Sequence, residues 1–330
     1  MIHPFIEKAY QILDNKPITK DLALKLLKIK NEDILDLVSL ANKVKNKFSK
    51  DEHICSIINA KSGMCSQDCS YCAQSSYHNV PAIETYPLKS KNDIIKEAET
   101  AQKNGVKFYG LVTSGLGYLE KNDEFDEIIE IFKNLKKKYS DMNFCASLGI
   151  LSEENVIALK EVGIAHYNIN LQVNPEKYSK LISKTHKVED RIKTIKFLKK
   201  HGIKVCSGAI LGLGETLKDR IELAYILKEL DVDSIPLNVL IPIEGTPLEK
   251  KPLIKASEVT FTFSLFRIIN PTKTIKFAAG RESRMKDFQG LLMLAGANGF
   301  LTGGYLTTRG RDTKDDLLMK EELDSFKSEE

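Results

Sequence analysis

The chain has 330 residues, of which 42% are hydrophobic and 28% are charged, a balance that is ordinary for a globular protein of one large or two modest domains. Its 49 Lys and Arg against 45 Asp and Glu give a net charge of +4 that is spread along the sequence, whereas nucleic-acid binding usually leaves a concentrated basic patch. No apolar run is long enough to span a bilayer, and the first residues lack an apolar signal-peptide core. We therefore expect a cytoplasmic protein with no nucleic-acid or membrane partner.

The first fifty residues predict helices that precede the main domain. The clearest of these helices covers residues 33–48, where apolar residues recur at helical spacing, namely Ile34, Leu37, Val38, Ala41 and Val44. We therefore assign residues 1–50 to an N-terminal helical extension.

From residue 51 to residue 310 the sequence alternates between short apolar runs and longer, lysine-rich amphipathic stretches. Eight runs are strand candidates, at residues 54–60, 107–114, 143–149, 165–172, 204–212, 233–242, 273–280 and 297–304. Strands that alternate with helices form parallel sheets, and a count of eight favours an α/β fold of the (β/α)8 TIM-type barrel kind over an open doubly wound sheet. Residues 311–330 are mostly charged, and we expect them to form a loosely held C-terminal tail.

Half of the six cysteines lie in one short stretch, "KSGMCSQDCSYCAQS", at residues 61–75. Cys65, Cys69 and Cys72 have the spacing C-x3-C-x2-C, and in a reducing compartment such clusters more often bind metal or catalyse than form disulfides. A structural zinc site needs four ligands, usually from two paired knuckles, and no second knuckle follows. Three thiolates suit three irons of a [4Fe–4S] cluster and leave the fourth iron open to a small molecule. The alternatives are a zinc site with a distant fourth cysteine and three incidental buried thiols.

This loop resembles that of the radical S-adenosylmethionine (SAM) enzymes, in which an aromatic residue, here Tyr71, precedes the last cysteine. Further stretches resemble the biotin synthase family within that superfamily, and they occur in order up to residue 308: "HYNINL", "KVCSGAILGLGET", "IPLNVLIPIEGTPL", "AAGRE" and "AGANGFLTGGYLTT". The resemblance implies a radical SAM barrel that inserts sulfur into dethiobiotin, with the sulfur donated by a second iron–sulfur cluster. It also implies a homodimer and an electron donor such as flavodoxin or ferredoxin.

The resemblance assigns roles to individual residues. Cys65, Cys69 and Cys72 are the catalytic cysteines that hold the [4Fe–4S] cluster. The residues expected to bind SAM are Tyr71, Asn170, Gln172, Arg191, Gly212 and Gly214. The residues expected to contact dethiobiotin are Lys61, Asn168, Asn238, Thr307 and Thr308. Without the resemblance, the asparagines would be interpreted as satisfied polar residues of a barrel wall.

The sequence departs from this family around the second cluster. In the family this is a [2Fe–2S] cluster, bound by three strand cysteines and an arginine. Cys145 and Cys206 match two of the cysteines, but the second strand offers only Tyr109 or Gly110. The arginine is replaced by Lys276, which has no guanidinium fork. A smaller departure is Gln172, which replaces an acidic residue expected at the SAM ribose and can still hydrogen-bond.

The sixth cysteine offers a replacement ligand for the second cluster. Cys55 lies on the first predicted strand, which in a closed barrel sits between the last strand and the second. We hypothesise that Cys55, Cys145 and Cys206 hold this cluster, as [2Fe–2S] or as a variant of different size or ligation. The alternative is that Cys55 is a small buried hydrophobic residue, as free cysteines often are.

Two other functions remain open from the sequence. The first is another radical SAM enzyme on the same barrel, acting on a related small molecule without consuming a cluster sulfide. The second is a catalytically silent iron–sulfur or zinc-binding scaffold.

Overall fold

Eight parallel strands form a closed barrel, which confirms the predicted fold class. The computed structural model describes residues 2–81, 83–308 and 310–326. Each strand pairs with the next along the chain and the last pairs with the first, so the sheet closes on itself. The strands are β1 (His53–Lys61), β2 (Phe108–Thr113), β3 (Asn143–Ser147), β4 (His166–Asn168), β5 (Lys204–Cys206, continued by Ala209–Leu211), β6 (Ser234–Val239), β7 (Thr274–Phe277) and β8 (Gly299–Leu301).

Helices follow the strands, and several begin where a polar side chain caps the first turn. Ser90, Asn122 and Ser152 each accept a hydrogen bond from a backbone N–H of the helix that follows. Thr216 and Asp219 form a reciprocal capping box. The helices are α1 (Pro4–Ala9), α2 (Lys20–Leu26), α3 (Asp33–Phe48), α4 (Lys91–Lys103), α5 (Asp123–Lys138), α6 (Glu153–Glu161), α7 (Tyr178–Leu181), α8 (Val188–Lys200), α9 (Leu217–Glu229), α10 (Ala256–Ile269), α11 (Arg281–Met285), α12 (Gln289–Leu294) and α13 (Thr313–Asp324). In the part of the chain that is described, no helix has the length and apolar character needed to cross a membrane.

The N-terminal helices pack on the outside of the barrel. Helix α3 lies against α10 and α12, and helix α2 lies against α9. The apolar face predicted for α3 is the buried one, with Leu37, Ala41 and Val44 completely excluded from solvent. The extension therefore shares its core with the helices that cover the last part of the barrel.

Asn298, just before β8, joins the extension to the amino end of the barrel. Its amide nitrogen donates to the carbonyl of Ser49 (3.2 Å), to the hydroxyl of Ser49 (2.9 Å) and to the carbonyl of Asp51 (2.8 Å). Its amide oxygen accepts from the N–H of Ile275 and from the guanidinium of Arg267, both at 2.8 Å. One buried amide therefore fixes three chain segments relative to each other.

The residues after 310 differ from the loosely held tail expected of them. Residues 313–324 form α13, whose Asp316 is completely buried. The carboxylate of Asp316 lies 2.6 Å from the guanidinium of Arg281, which is only 1% exposed. The expectation was wrong because the sequence does not show that one acidic residue among many faces a buried arginine.

We predict that Asn298→Ala lowers the free energy of unfolding by about 3 kcal/mol, because a buried N–H and buried carbonyl groups lose their partners. Denaturant titration of both proteins measures the difference. The matched control is Asn92→Ala on the exposed side of α4, which should change stability by less than about 0.5 kcal/mol. Equal losses in the two variants would contradict the structural role of Asn298.

Candidate active site

The barrel encloses a cavity of about 390 Å³ that most of the predicted site residues line. Side chains alternate between the two faces of a strand, so every second residue of each barrel strand faces the interior. The predicted residues that line this cavity are Cys55, Tyr71, Cys72, Cys145, Asn168, Asn170, Gln172, Arg191, Cys206, Asn238, Thr307 and Thr308. The cavity extends from the strands, through the polar residues of β4 and its loop, to the cysteine loop after β1.

Three cysteines and a lysine meet inside the barrel, in what we call the thiol layer: Cys55, Cys145, Cys206 and Lys276. These residues come from β1, β3, β5 and β7, and TIM-type barrels build each interior layer from four side chains on alternate strands. The ammonium nitrogen of Lys276 lies 3.3 Å from the sulfur of Cys55 and 3.6 Å from that of Cys206. The structure thus brings together the three cysteines hypothesised to share a site, with the unexpected lysine among them.

Burial and charge act in opposite directions within the thiol layer. Burial raises the pKa of Cys145 and of Cys55, while Lys276 lowers that of Cys55. Burial lowers the pKa of Lys276, but the surrounding sulfur atoms raise it by more when they are ionised. Burial therefore favours protonated thiols at Cys55 and Cys145, and binding iron would have to displace those protons.

The inward position on β2 belongs to Gly110, and Tyr109 faces the other way. Gly110 lines the cavity and is paired in register with Cys145, whereas Tyr109 is 2% exposed and does not line the cavity. A Cβ atom at position 110 would lie 3.1 Å from the side chain of Ile57 and 3.8 Å from Cβ of Cys145. Position 110 of β2 therefore presents only backbone to Cys145, while Phe108, in register with Cys55, lines the cavity with its side chain.

His166 is a cavity residue that the sequence analysis missed. It lies at the start of β4, in register with Cys145, and is 8% exposed. Burial, followed by the charge of Lys276, lowers the pKa of His166 to about 3, so the ring is neutral near pH 7. Its Nδ1 atom has no hydrogen-bond partner among the described residues. Its two-residue spacing from Asn168 was a signal that it faces the same side of the strand.

Backbone hydrogen bonds hold the cysteine loop in shape. The N–H of Cys65 donates to the carbonyl of Gln74 (3.0 Å), and the carbonyl of Cys65 accepts from the N–H of Ser76 (2.8 Å). The N–H of Cys72 donates to the carbonyl of Cys69 (3.0 Å). Burial, with the neighbouring thiols, raises the pKa of Cys69 to about 12, and burial raises that of Cys72 to about 11. Binding iron would have to displace the protons of Cys69 and Cys72.

Asp68, between the first two cysteines of the loop, anchors it to the segment before α8. Its carboxylate accepts from the hydroxyls of Ser183 (2.5 Å) and Thr185 (2.9 Å) and from the N–H of Lys184 (3.0 Å). Burial alone would raise the pKa of Asp68, but these hydrogen bonds outweigh it and lower the value to about 2. Sequence spacing gave no signal for this contact, because the partners lie more than a hundred residues away.

Arg191 and Gln172 carry polar atoms without partners at the end of the cavity nearest the cysteine loop. Arg191 donates through Nη1 to the carbonyl of Asn170 (3.2 Å), while its Nε has no partner among the described residues. Gln172 donates through Nε2 to the hydroxyl of Tyr71 (2.9 Å), while its Oε1 likewise has no partner within the described ranges. Both side chains line the cavity, where a guanidinium can pair with a carboxylate and an amide can hydrogen-bond with a hydroxyl group. These residues therefore fit SAM.

The asparagines of the cavity also hold the barrel wall. Asn170 accepts from the N–H of Gly208 (3.0 Å), and Asn238 donates to the carbonyl of Ala209 (3.1 Å). Asn168 donates to the hydroxyl of Ser147 at 3.2 Å. These asparagines therefore have two positions at once: they form hydrogen bonds within the barrel wall and they line the cavity.

Five predicted residues lie away from the cavity lining. Lys61 forms an ion pair with both carboxylate oxygens of Glu124, at 2.8 Å. The N–H groups of Gly212 and Gly214 donate to the carboxylate of Glu215, at 2.8 and 3.0 Å. Both glycines have positive φ, of 96° and 119°, which explains the residue type by turn geometry. Cys65 and Cys69 are also outside the lining, so Cys72 is the loop thiol that faces the cavity.

Within the described ranges, no three His, Cys, Asp or Glu side chains are grouped closely enough to hold one metal ion. A [4Fe–4S] cluster sets a different geometric requirement, because each thiolate binds a separate iron. The donor set of the loop, three thiols with no carboxylate or imidazole between them, has the soft ligands that such a cluster selects.

Two family models match the chain. Residues 61–225 match the Radical SAM superfamily, and residues 236–325 match the Biotin and Thiamin Synthesis associated domain. The chain is 50% identical over 327 residues to the biotin synthase of Chlorobium luteolum and 51% identical over 332 residues to that of Pelodictyon phaeoclathratiforme, with 98% of each chain covered. The second family model includes α13, which agrees with its packed position.

Solved structures share the fold. A crystal structure of methylornithine synthase has a TM-score of 0.80 at 18% identity, covering 98% of this chain and 96% of that one. A maturase of the [FeFe]-hydrogenase has a TM-score of 0.80 at 19% identity, covering 97% and 73%. At these identities the similarity concerns the barrel and its covering helices.

We predict that Asp68→Asn weakens iron retention in the cysteine loop, because an amide replaces the carboxylate that anchors the loop. A chelator should remove the loop iron about tenfold faster than from the parent protein, a magnitude typical of lost outer-shell contacts. Iron loss is followed by optical absorbance. The kinetic phase that is missing in Cys69→Ala is assigned to the loop iron. Asp190→Asn, on an exposed side chain at the start of α8, is the matched control and should leave the rate unchanged. Equal rates in both variants would refute the anchoring role.

Proposed function

The chain belongs to the biotin synthase family of radical SAM enzymes, and we propose that it converts dethiobiotin to biotin by inserting a sulfur atom. One observation carries the proposal: Cys72 of the cysteine loop and the thiol layer line one cavity, together with polar side chains of β4 and its loop. His166 is in register with Cys145, and Asn168 is in register with Cys206. Further along the same segment, Gln172 contacts Tyr71 in the cysteine loop.

The chemistry requires cofactors because the reacting carbons carry no acidic hydrogen. When bound, the [4Fe–4S] cluster with SAM supplies a radical that abstracts hydrogen from such carbons, and the second cluster supplies the sulfur. Cys65, Cys69 and Cys72 would hold the first cluster. The chain's own task is to bind the substrate and orient its reacting carbon.

We assign the SAM end of the cavity to the residues near the cysteine loop. The guanidinium of Arg191 would pair with the SAM carboxylate, and the side-chain amide of Gln172 would hydrogen-bond with a ribose hydroxyl. Tyr71 and Asn170 complete this end through their contacts with these two side chains. Gly212 and Gly214 shape the turn beside it, and we retain them as residues that allow adenosine to approach the backbone.

We assign the dethiobiotin end to amides and hydroxyls that line the cavity. Asn168 and Asn238 present amide groups, which match both the donors and the acceptors of a ureido ring. Thr307 and Thr308 lie on the loop after β8 and would bind the carboxylate tail. Lys61 would contribute its positive charge near that tail while remaining paired with Glu124.

The thiol layer is our candidate for the sulfur-donating cluster. It lines the same cavity as Cys72 of the cysteine loop, and the ammonium of Lys276 would compensate part of the charge of three cluster-bound thiolates. Cys55 would replace the cysteine that β2 lacks, and Lys276 would replace the arginine. The cluster would be [2Fe–2S] or a variant with a different size or ligand set. We further propose a cytoplasmic homodimer that receives electrons from flavodoxin or ferredoxin.

We predict that the anaerobically reconstituted protein, given SAM, dethiobiotin and a reductant, forms biotin. Mass spectrometry of the product measures the conversion, and Cys72→Ala should abolish both biotin formation and SAM cleavage. SAM cleavage without biotin would favour another radical SAM enzyme on this barrel. A colourless protein that binds zinc and leaves SAM intact would favour the silent scaffold.

We predict that Cys55→Ala loses iron and labile sulfide to the same extent as Cys145→Ala and Cys206→Ala, because all three thiols belong to one layer. Iron and sulfide per chain are counted after anaerobic reconstitution. Ile57→Val, at the next inward position of β1, is the control and should keep the full content. Unchanged content with intact biotin formation in Cys55→Ala would show that Cys55 is only a buried side chain.

A further inference from the structure

We propose that the C-terminal helix α13 positions the loop that closes the substrate end of the cavity, and that the buried ion pair of Arg281 and Asp316 transmits this effect. The inference rests on the proposed function, because it takes the loop's Thr307 and Thr308 as contacts of the substrate carboxylate. Arg281 and Asp316 are thus positioning residues, which act through the loop and do not touch the substrate.

Arg281 is the centre of a buried network at the start of α11. Its two terminal nitrogens donate to the two carboxylate oxygens of Asp316, at 2.9 and 2.6 Å, in a bidentate arrangement. One of these nitrogens also donates to the side chain of Gln289 (2.9 Å), and the other to the carbonyl of Leu301 at the end of β8 (3.2 Å). The guanidinium thus joins α13 to the last residue before the loop.

The same guanidinium reaches the loop through Tyr305. Its Nε donates to the Tyr305 hydroxyl at 3.3 Å, and that hydroxyl donates to the carboxylate of Glu282 at 2.6 Å. Tyr305 lines the cavity beside Thr307 and Thr308. The position of the threonines therefore depends on a side chain that Arg281 holds.

Backbone contacts close the loop at both ends. The N–H of Thr302 donates to the carbonyl of Cys55 (2.9 Å), and the N–H of Gly303 donates to the carbonyl of Arg311 (3.1 Å). The N–H of Tyr305 donates to the carbonyl of Thr308 (3.0 Å). The side chain of Asn59 donates to the carbonyl of Leu306 at 2.9 Å. Each of these bonds keeps the loop against the barrel rim, and α13 lies directly after it.

The burial of both charges shows that this contact has a geometric role. Arg281 is 1% exposed and Asp316 is completely buried, and removing two ions from water costs more than an apolar pair of similar volume would. Arg281 also stacks on Phe277 of β7, at 4.7 Å from the ring centroid, which fixes the plane of the guanidinium. A bidentate pair with a fixed plane defines the angle of α13 to the barrel, which apolar packing alone would leave loose.

The test compares Asp316→Asn with Asp315→Asn in the full-length, reconstituted protein. Asp315 is exposed on the same turn of α13, so its variant has the same charge change without touching the network. Hydrogen exchange of the segment 302–311 and the KM values for dethiobiotin and SAM are measured. Asp316→Asn should speed exchange and raise the KM for dethiobiotin, each by about tenfold or more, because a hydrogen bond to a charged group is lost. The KM for SAM and kcat should stay within about twofold.

The control variant should match the parent protein in every measurement. The proposal is overturned if Asp316→Asn behaves like Asp315→Asn, or if it raises both KM values equally, as general destabilisation would. If Asp316→Asn does not fold, Tyr305→Phe decides the matter, since it keeps the Arg281–Asp316 pair and removes the hydroxyl through which the loop contacts Arg281, Glu282 and Ala278. That variant should raise the KM for dethiobiotin selectively, and parent-like values would overturn the proposal. If the parent does not convert dethiobiotin, the proposed function fails, while the exchange rates still decide whether α13 fixes the loop.

Discussion

The alternation of side chains along eight closed parallel strands determines which residues of this chain meet. Cys55 and Lys276 are 221 residues apart, yet the closure of the barrel places their side chains 3.3 Å from each other. A shift of one residue on any odd strand would turn its member of the thiol layer outward, because the side-chain period of a strand is two. The same period places His166, Asn168 and Asn170 on one face. These three side chains line the cavity, as do the thiol layer and Cys72 of the cysteine loop. The geometry of the site thus follows from strand register before any side-chain chemistry is considered.

Polar atoms without a partner occur at the cavity lining and also elsewhere in the described interior, as at Asn155 and Ser234. Asn298 and Arg281 use all or most of their hydrogen-bonding groups on the protein itself, as buried polar groups usually do. Nε of Arg191, Oε1 of Gln172 and Nδ1 of His166 have no partner in the part of the chain that is described, and all three residues line the cavity. Leaving such atoms unpaired costs free energy. That cost is understandable where a polar ligand would supply the missing partners.

The sequence predicts the parts of this site that depend on local spacing. The three loop cysteines and the inward asparagines follow from their positions along the chain, and eight strand candidates were enough to expect a closed barrel. The parts that depend on register or on distant partners could not be predicted. Choosing Gly110 over Tyr109 needs the pairing of β2 with β3, and the pairing of Lys61 with Glu124 needs two segments 63 residues apart. Asp316 lies within a charged stretch whose composition is typical of an exposed tail. Its burial depends on Arg281, a partner 35 residues away, which composition does not indicate.

Hydrogen bonds and an ion pair hold the loops at the rim of the barrel, which helps to explain how a large cavity stays open between them. Apolar packing reaches a high density by filling space, so it cannot by itself keep an opening of about 390 Å³ in the centre of a barrel. Asp68 anchors the cysteine loop through hydroxyl and N–H donors, and Arg281 anchors the opposite loop through a bidentate ion pair. Both anchors lie outside the cavity lining, so they fix the rim without occupying the space that substrate and SAM require. The thiol layer closes the other end with four side chains from alternate strands, and the site is therefore supported from both ends by groups that leave its middle open.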